Sequence, residues 1–438
     1  MGDKDYEYFG VRRVFGEVGK YIYVFRAFFP HANFVELTGD FNSWRGEGLR
    51  RLRDGAWELI YKSDIPLDGM RYKYRVLSED GAELLADPFE RYGEFDGERA
   101  SIVHTEKYDW HDGGRKRPFS PINIYCFEPQ NAERHENYRE LARKLGEYAR
   151  KMKFSHIMIK NPPFSPDPRF GNPDDLCFFT DYLHSIGVGV IMSIDAEMRE
   201  ISSTSAFFKL SEFHADGLFF GDISDLLKET ENIDFFAELN RNLHRHFPNI
   251  ITIAEENTAF PNVTGKDGLG FDLKLNRAWE KAVINYEEGR AKKGELVFSF
   301  RYAFGEDYIL PLPRGEQKSA VMLAYFFTHP GKKMIFRTAI PEEIENYMKK
   351  LSEIYASSPA LFRGGFEWIN ESESPMIFRR TDEDELLCIL NFSGEKYSFR
   401  IDKNYKDVLK DEILVPQFVE IPPFCVMILS PEKNSFHC

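Results

Sequence analysis

Over residues 1 to about 107, apolar and polar positions alternate in short runs: YIYVFRAFF, FVELTGDF, AWELIYK and YKYRVL, each bounded by Gly, Asp, Asn or Pro. Period-two runs rich in aromatic and β-branched residues, punctuated by turn formers, are strands, so residues 1–107 are expected to fold as an all-β sandwich. A polar linker is placed at 108–118. Beyond it the pattern changes to eight short apolar runs, at 122–127, 155–160, 188–194, 216–220, 250–254, 270–274, 307–312 and 332–336, with helix-period segments at 137–152, 173–186, 234–247, 317–328 and 341–357. Asn172 followed by Pro173 reads as an N-cap with proline in the first helical position. Repeated strand–helix alternation over 119–358 predicts a (β/α)8 barrel, whose usual length is about 250 residues. Short strands return after about 360 (MIFRR, LLCILNF, YSFRI, CVMIL), which predicts a second β-sandwich over 359–438.

Composition narrows the function more than the fold. The 438 residues carry a formal net charge of −14. Phosphate binding depends on clustered Lys and Arg, so nucleic acid and anionic membranes are excluded as partners, whereas a neutral polymer meets no such barrier. The one compact basic run, Arg115-Lys116-Arg117, falls in the linker and is read as solvated. Five cysteines (Cys126, Cys177, Cys388, Cys425, Cys438) lack metal-ligand spacing, the pattern of a reduced cytosolic protein. The acidic N-terminus has no apolar core of a signal peptide, and no apolar run reaches 18 residues. A cytoplasmic protein without metal or cofactor is expected.

Several segments carry a resemblance. FVELTGDFNSWRG, with AWEL and RYKYRV after it, resembles the family 48 carbohydrate-binding module. YRELARKLGEYARKMKFSHI, RFGNPDDLCFFTDYLHSIGVGVI, DGLFF, FAELNRNLHRHFPNIITIAEENTAFPNVT, GLGFDLKLNRAW, ILPLP and YFFTHPGKKMIF are similar, in order, to the barrel of glycogen and starch branching enzymes of the α-amylase superfamily. SPALFRGGFEWI and the final β-rich segment continue the match, so the resemblance covers nearly the whole chain.

The chemistry this resemblance implies is retaining glycosyl transfer, which needs a carboxylate nucleophile and a carboxylic acid about 5–5.5 Å apart. The family nucleophile is the Asp of a G-x-R-x-D motif ending the fourth strand; here Gly217-Leu-Phe-Phe-Gly221 puts Gly221 in its place and Phe219 in place of the Arg. Glu255, in IAEE, keeps the acid/base position, with Glu256 beside it. The third carboxylate, from an S-H-D-E motif, falls on Gly315, with Arg314 in place of the His. The motif after the third strand runs Ser193 to Met198 without its Asp or His. The segments after the second strand, between Met198 and Asp216, and from Thr338 to Pro341 are shorter than in the family, so walls of the substrate cleft are expected to be missing.

A rebuilt carboxylate pair could use Asp222, Asp195 or Glu197, although a one-residue shift turns Asp222 to the other face if the strand continues. Arg314 and Glu316 could pair with Glu255 or lie on a surface loop. His244 and His246 are two apart on a helix and share no face. Trp44, with Lys73 and Asn42, forms the candidate glucan platform, unless GDFNSW only packs the module on the barrel. The expected function is a branching-enzyme-like pseudoenzyme that binds α-glucan, or an active glucan-metabolising partner enzyme, without catalysis. Two alternatives stand beside it: an active branching enzyme or glucan hydrolase using Glu255 and a relocated carboxylate, and a protein-interaction scaffold that binds no sugar.

Overall fold

Residues 10–103 form two antiparallel sheets. One runs Gly10–Val14, Tyr21–Phe28, Ala56–Ser63, Arg50–Arg51; the other Glu47–Gly48, Phe34–Gly39, Arg71–Ser78, Gly81–Leu85. Alternation explains the core: along Arg71–Ser78 the side chains of Tyr72, Tyr74 and Val76 turn inward and join Tyr23, Phe25, Leu37 and Trp57 in one buried cluster. The computed structural model describes residues 4–14, 20–52, 55–79, 81–95, 99–113, 121–128, 136–160, 164–196, 199–292, 294–313, 319–336, 342–372 and 374–432. Gly315, Arg314, Glu316, Glu197, Met198, Thr338–Pro341, Cys438 and the Arg115–Arg117 run lie outside the described residues.

Eight parallel strands close into a barrel: Asn123–Phe127, His156–Ile159, Gly189–Ile194, Gly217–Phe220, Ile251–Ala254, Leu273–Leu275, Tyr308–Leu312 and Lys332–Phe336. Seven of them sit within a residue or so of the predicted runs. The sixth begins three residues late. Phe271 pairs instead with the loop at Val263 and Thr264, its N–H donating to Val263 O at 3.3 Å; Asp272 keeps its N–H on Thr252 O at 3.0 Å and accepts the Thr252 N–H on its carboxylate at 2.7 Å, and the strand register begins at Leu273. The helices are α1 (Tyr138–Met152), α2 (Pro173–Ser185), α3 (Arg199–Glu212), α4 (Thr230–His246), α5 (Arg277–Glu287), the single-turn α6 (Glu295–Phe298), α7 (Ala320–Thr328) and α8 (Glu342–Ser357). The cap of α2 forms as expected: Asn172 Oδ1 accepts the Asp175 N–H at 3.0 Å, and the Asp175 carboxylate accepts the Asn172 N–H at 3.2 Å. Helix α3 had no periodic signature because its first half, REISST, is rich in hydroxyl and β-branched residues.

The chain divides into two compact units, Met1–Lys116 with Ala132–Lys144 and Lys160–Leu218, and Arg117–Asn131 with Leu145–Ile159 and Phe219–Cys438. In the first, part of the expected linker is fastened down: the Tyr108 hydroxyl and the His111 N–H both bind the Asp181 carboxylate of α2, at 3.0 and 3.1 Å. In the second, residues 365–431 form a six-stranded sheet and a two-stranded one around Ile377, Leu387, Ile389, Ile421 and Leu429. No helix among the described residues is long and apolar enough to cross a membrane.

Candidate functional site

The fourth and fifth strands stay paired past their ends, since the Glu255 N–H donates to Phe220 O and the Ile223 N–H to Glu255 O, both at 2.9 Å. Gly221 lies between these bonds. A Cβ built on it would meet only the Phe219 ring at 4.0 Å, so the place where a side chain would project is open. Asp222, one residue on, is exposed and closes a local turn, its Oδ1 accepting the Ser224 hydroxyl at 2.6 Å and the Ser224 N–H at 3.2 Å. The Ser224 hydroxyl bond, joined by the Ser224 N–H, Asn257 and the positive charge of Arg277, holds the Asp222 carboxyl below its usual range.

Glu255 and Glu256 point to different partners. Arg277, the first residue of α5, gives both Nε (3.1 Å) and Nη2 (2.5 Å) to Glu255 Oε1, and its Nη1 to Glu280 at 2.5 Å. Glu255 keeps 16% of its side chain exposed, so it borders solvent with one oxygen fully engaged. Glu256 is fully buried: Oε2 accepts Lys274 Nζ at 2.6 Å, and Oε1 accepts the N–H and hydroxyl of Thr258, while Lys274 also reaches Phe260 O at 3.2 Å. That pair fixes the loop after the fifth strand against the sixth. Asp195 is exposed, and near it Lys209 is buried and donates to Ser193 O at 2.5 Å; burial pushes its ammonium down to about 7, against the opposing pull of Asp195.

In the module, GDFNSW forms a tight turn. Asn42 is spent on it, its Oδ1 accepting the Gly39 N–H at 2.9 Å and its Nδ2 donating to Leu37 O at 3.1 Å. Lys73 is only 5% exposed. Phe41 supplies the ring that packs inward, against Phe25 and Tyr61. Trp44 is half-buried, with its indole N–H on Asp40 at 3.0 Å and the Arg71 guanidinium 5.8 Å over its ring. Asp40 also accepts Arg71 through its backbone N–H, Nε and Nη2, and these bonds hold the Asp40 carboxyl below its usual range. Ser43 and Trp44 both adopt left-handed backbone, φ 54° and 59°. That conformation costs a non-glycine residue on the order of 1–3 kcal/mol, and it persists only where the surroundings hold it.

Of the residues expected at the barrel mouth, Gly221, Asp222 and Glu255 come together, and Arg277 joins them. Trp44 and Asn42 share one turn. Arg277, Asp40 and Arg71 were not singled out from the sequence. A signal for Arg277 was available, because Asn276 caps α5 by accepting the Trp279 N–H at 2.9 Å, which sets the next residue at a helix start beside the strand ends.

Comparison with known proteins bears on the fold and the sequence family. Residues 9–90 match the model of carbohydrate-binding module 48, the isoamylase N-terminal domain. The 1,4-alpha-glucan branching enzyme GlgB of Fusobacterium nucleatum is 28% identical over 90% of this chain and 86% of its own length; that of Geobacillus stearothermophilus is 26% identical over 98% and 94%. In the first alignment 90% of 438 residues, about 394, occupy 531 positions, so about 137 positions of that relative face no residue here. Pullulanase type I from Bacillus subtilis, solved with maltose, superposes with a TM-score of 0.73 at 14% identity over 96% of this chain and 85% of its own; a Salmonella typhimurium protein assigned as an alpha amylase gives 0.75 at 13% over 97% and 99%. The fold is α-amylase-like, with a carbohydrate-binding-module sandwich in front of a parallel barrel and β-sheets behind it, and the chain is branching-enzyme-like in sequence.

Proposed function

We propose that this chain is a branching-enzyme-like protein that binds α-glucan and does not transfer glucosyl chains. The observation that carries the reading is the open space at Gly221, the position the family resemblance assigns to the nucleophile. A covalent retaining mechanism has no first step without a nucleophile. Glu255, the assigned acid/base residue, has one oxygen bound to two N–H groups of Arg277, so it is engaged where a leaving-group oxygen would need it. The shortening against the Fusobacterium enzyme supports the same reading, because cleft walls in barrels of this kind are loops. Glucan binding is assigned to the strained Trp44 turn, since backbone strain in a carbohydrate-binding-module sandwich is a mark of a functional surface. By this reading the protein brings an active glucan-metabolising enzyme to the polymer or tunes it there.

A second reading draws on Asp222, whose carboxyl is held below its usual range beside Arg277. An enzyme with a relocated nucleophile would use it with Glu255. The test is incubation with amylose, followed by enzymatic debranching and chain-length analysis. A profile indistinguishable from the protein-free control is expected. New α-1,6 branches that disappear in both Glu255→Gln and Asp222→Asn would establish the second reading instead.

A further inference from the structure

Within the first compact unit, a cavity of about 190 Å³ lies between the segment 104–110, the start of α2 and the end of α3. Charged groups of both signs line it, exposed Glu106 and Lys107 at the rim and two opposed pairs further in. Arg91 Nη1 stands 3.5 Å from Glu212, and His104 Nε2 stands 3.6 Å from Asp174. Both separations exceed the 2.7–3.2 Å of a good N–H···O bond, so each pair keeps hydrogen-bonding capacity that a hydroxyl seated beside it can use. Burial lowers the His104 pKa, more than the nearby carboxylates raise it, so near neutral pH this ring offers one donor and one acceptor.

Part of the remaining wall is aromatic. Phe208 and Trp110 line it, and Trp110 is held rigidly, its ring stacked on His214 at 3.7 Å and 11°. His214 is itself fixed by Asp112, which accepts its Nδ1–H at 2.7 Å. Rigid apolar walls with a few convergent polar groups are the make-up of a ligand site, and 190 Å³ is below the roughly 300–1,000 Å³ of drug-sized pockets.

Charge selects the ligand. An anion would face the carboxylates of Glu212, Asp174 and Glu106, and a cation would face Arg91 and Lys107. A neutral ring bearing several hydroxyls meets neither conflict: each hydroxyl is donor and acceptor at once, and its C–H faces suit the aromatic wall. We propose that this cavity is a second carbohydrate site, separate from the Trp44 turn, that seats one terminal glucosyl unit of a neutral glucan chain. The choice of glucose rests on the α-glucan reading above; the choice of a neutral polyol rests on the cavity alone.

Maltotriose is the probe, titrated by calorimetry into the full chain, with glucose 1-phosphate as the anionic control. Ser211→Trp, at the cavity wall, should weaken maltotriose at least tenfold with little change in melting temperature, while Trp44→Ala should lose retention on a glycogen gel and keep the maltotriose heat. Unchanged binding in a folded Ser211→Trp protein overturns the proposal, as does tighter binding of glucose 1-phosphate than of maltotriose. If Ser211→Trp folds poorly, hydrogen exchange of the parent decides: slowing by maltotriose over 104–110 and 208–214 supports the cavity, and slowing confined to 36–48 and 71–75 refutes it. Glycogen retention through Trp44 without protection of the cavity removes this inference alone. A parent that binds neither glycogen nor maltotriose removes the glucan reading as well.

Discussion

At the module's turn Arg71 binds Asp40, and at the barrel mouth Arg277 binds Glu255; the same pairing has opposite consequences. Asp40 is shared between Arg71 and the Trp44 indole, so the ion pair sets an aromatic ring on the surface and holds it in a strained backbone. On the reading proposed here Glu255 would do the chemistry, and there the guanidinium takes an oxygen that chemistry would need. If that reading holds, the difference teaches that an arginine–carboxylate pair preorganises a site when the carboxylate is scaffolding and disables it when the carboxylate is the reagent.

The largest effect expected from this contrast is at the barrel. Loss of a covalent nucleophile costs on the order of 10⁶ in turnover in a well-studied hydrolase. Amylose incubated with the parent should therefore yield no branches above control, and clear turnover would erase the contrast. Restoring the carboxylate with Gly221→Asp sharpens it. The new side chain has room, so the protein should fold with an unchanged melting temperature. Activity should still be absent, because positioning, which can contribute about 7–11 kcal/mol, depends on loops that the proposed reading takes to be shortened. Substantial activity from that single change would show an intact cleft.

Next in size is the buried pair behind the mouth. Lys274→Met leaves Glu256 without its counter-charge, and breaking a buried ion pair from one side costs about 3–5 kcal/mol. Chemical denaturation should show that loss, and Lys274→Met with Glu256→Leu should recover much of it. Removal of the exposed side of the neighbouring pair, Arg277→Met, should cost far less. Equal losses at the two sites would mean that the mouth is as structural as the layer beneath it.

Much of this arrangement was legible in the sequence, because barrel strands are buried and read as short apolar runs. The sixth strand begins later than its pattern suggests because apolar Phe271 extends the run while its backbone pairs with Val263 and Thr264 in a loop rather than with the fifth strand. Helix α3 carries no apolar period because it buries Ser202, Ser203, Thr204 and Ser205 along with Ala206, Phe207, Phe208 and Leu210. The open position at Gly221 was readable only through family resemblance, since a glycine after a strand carries no chemistry by itself. Arg277 and Arg71 were invisible for a simpler reason: long side chains choose partners across elements, and spacing along the chain does not encode that choice.

At the module a smaller, more specific effect is expected. Glycine adopts left-handed backbone without penalty. Trp44→Gly should therefore melt no earlier than the parent, yet bind glycogen about tenfold more weakly, a change of about 1.4 kcal/mol. A variant that melts much earlier and is still retained by glycogen would make Trp44 a packing residue and support the scaffold alternative.

The smallest effect is a pH dependence that separates Asp40 from the ring it holds. Hydrogen bonds from Arg71 come first among the causes that lower the Asp40 carboxyl from its ordinary value of 3.8, with the backbone N–H of Arg71 and the Trp44 indole adding to them and partial burial opposing. A carboxyl whose folded pKa is depressed contributes stability that is fully present above the unfolded value and is lost as pH falls through the folded one. The difference in melting temperature between the parent and Asp40→Asn should accordingly be constant from pH 8 to about 5, and should shrink only below the ordinary carboxylate range near 3.9. Glycogen retention by the parent should follow the same course, flat across neutral pH. The effect should be modest and should diminish in high salt, because Arg71 is half exposed and the pair is screened. A retention curve that instead bends between pH 6 and 7 would point to an imidazole, and would move the binding surface from the Trp44 turn to a site built on histidine.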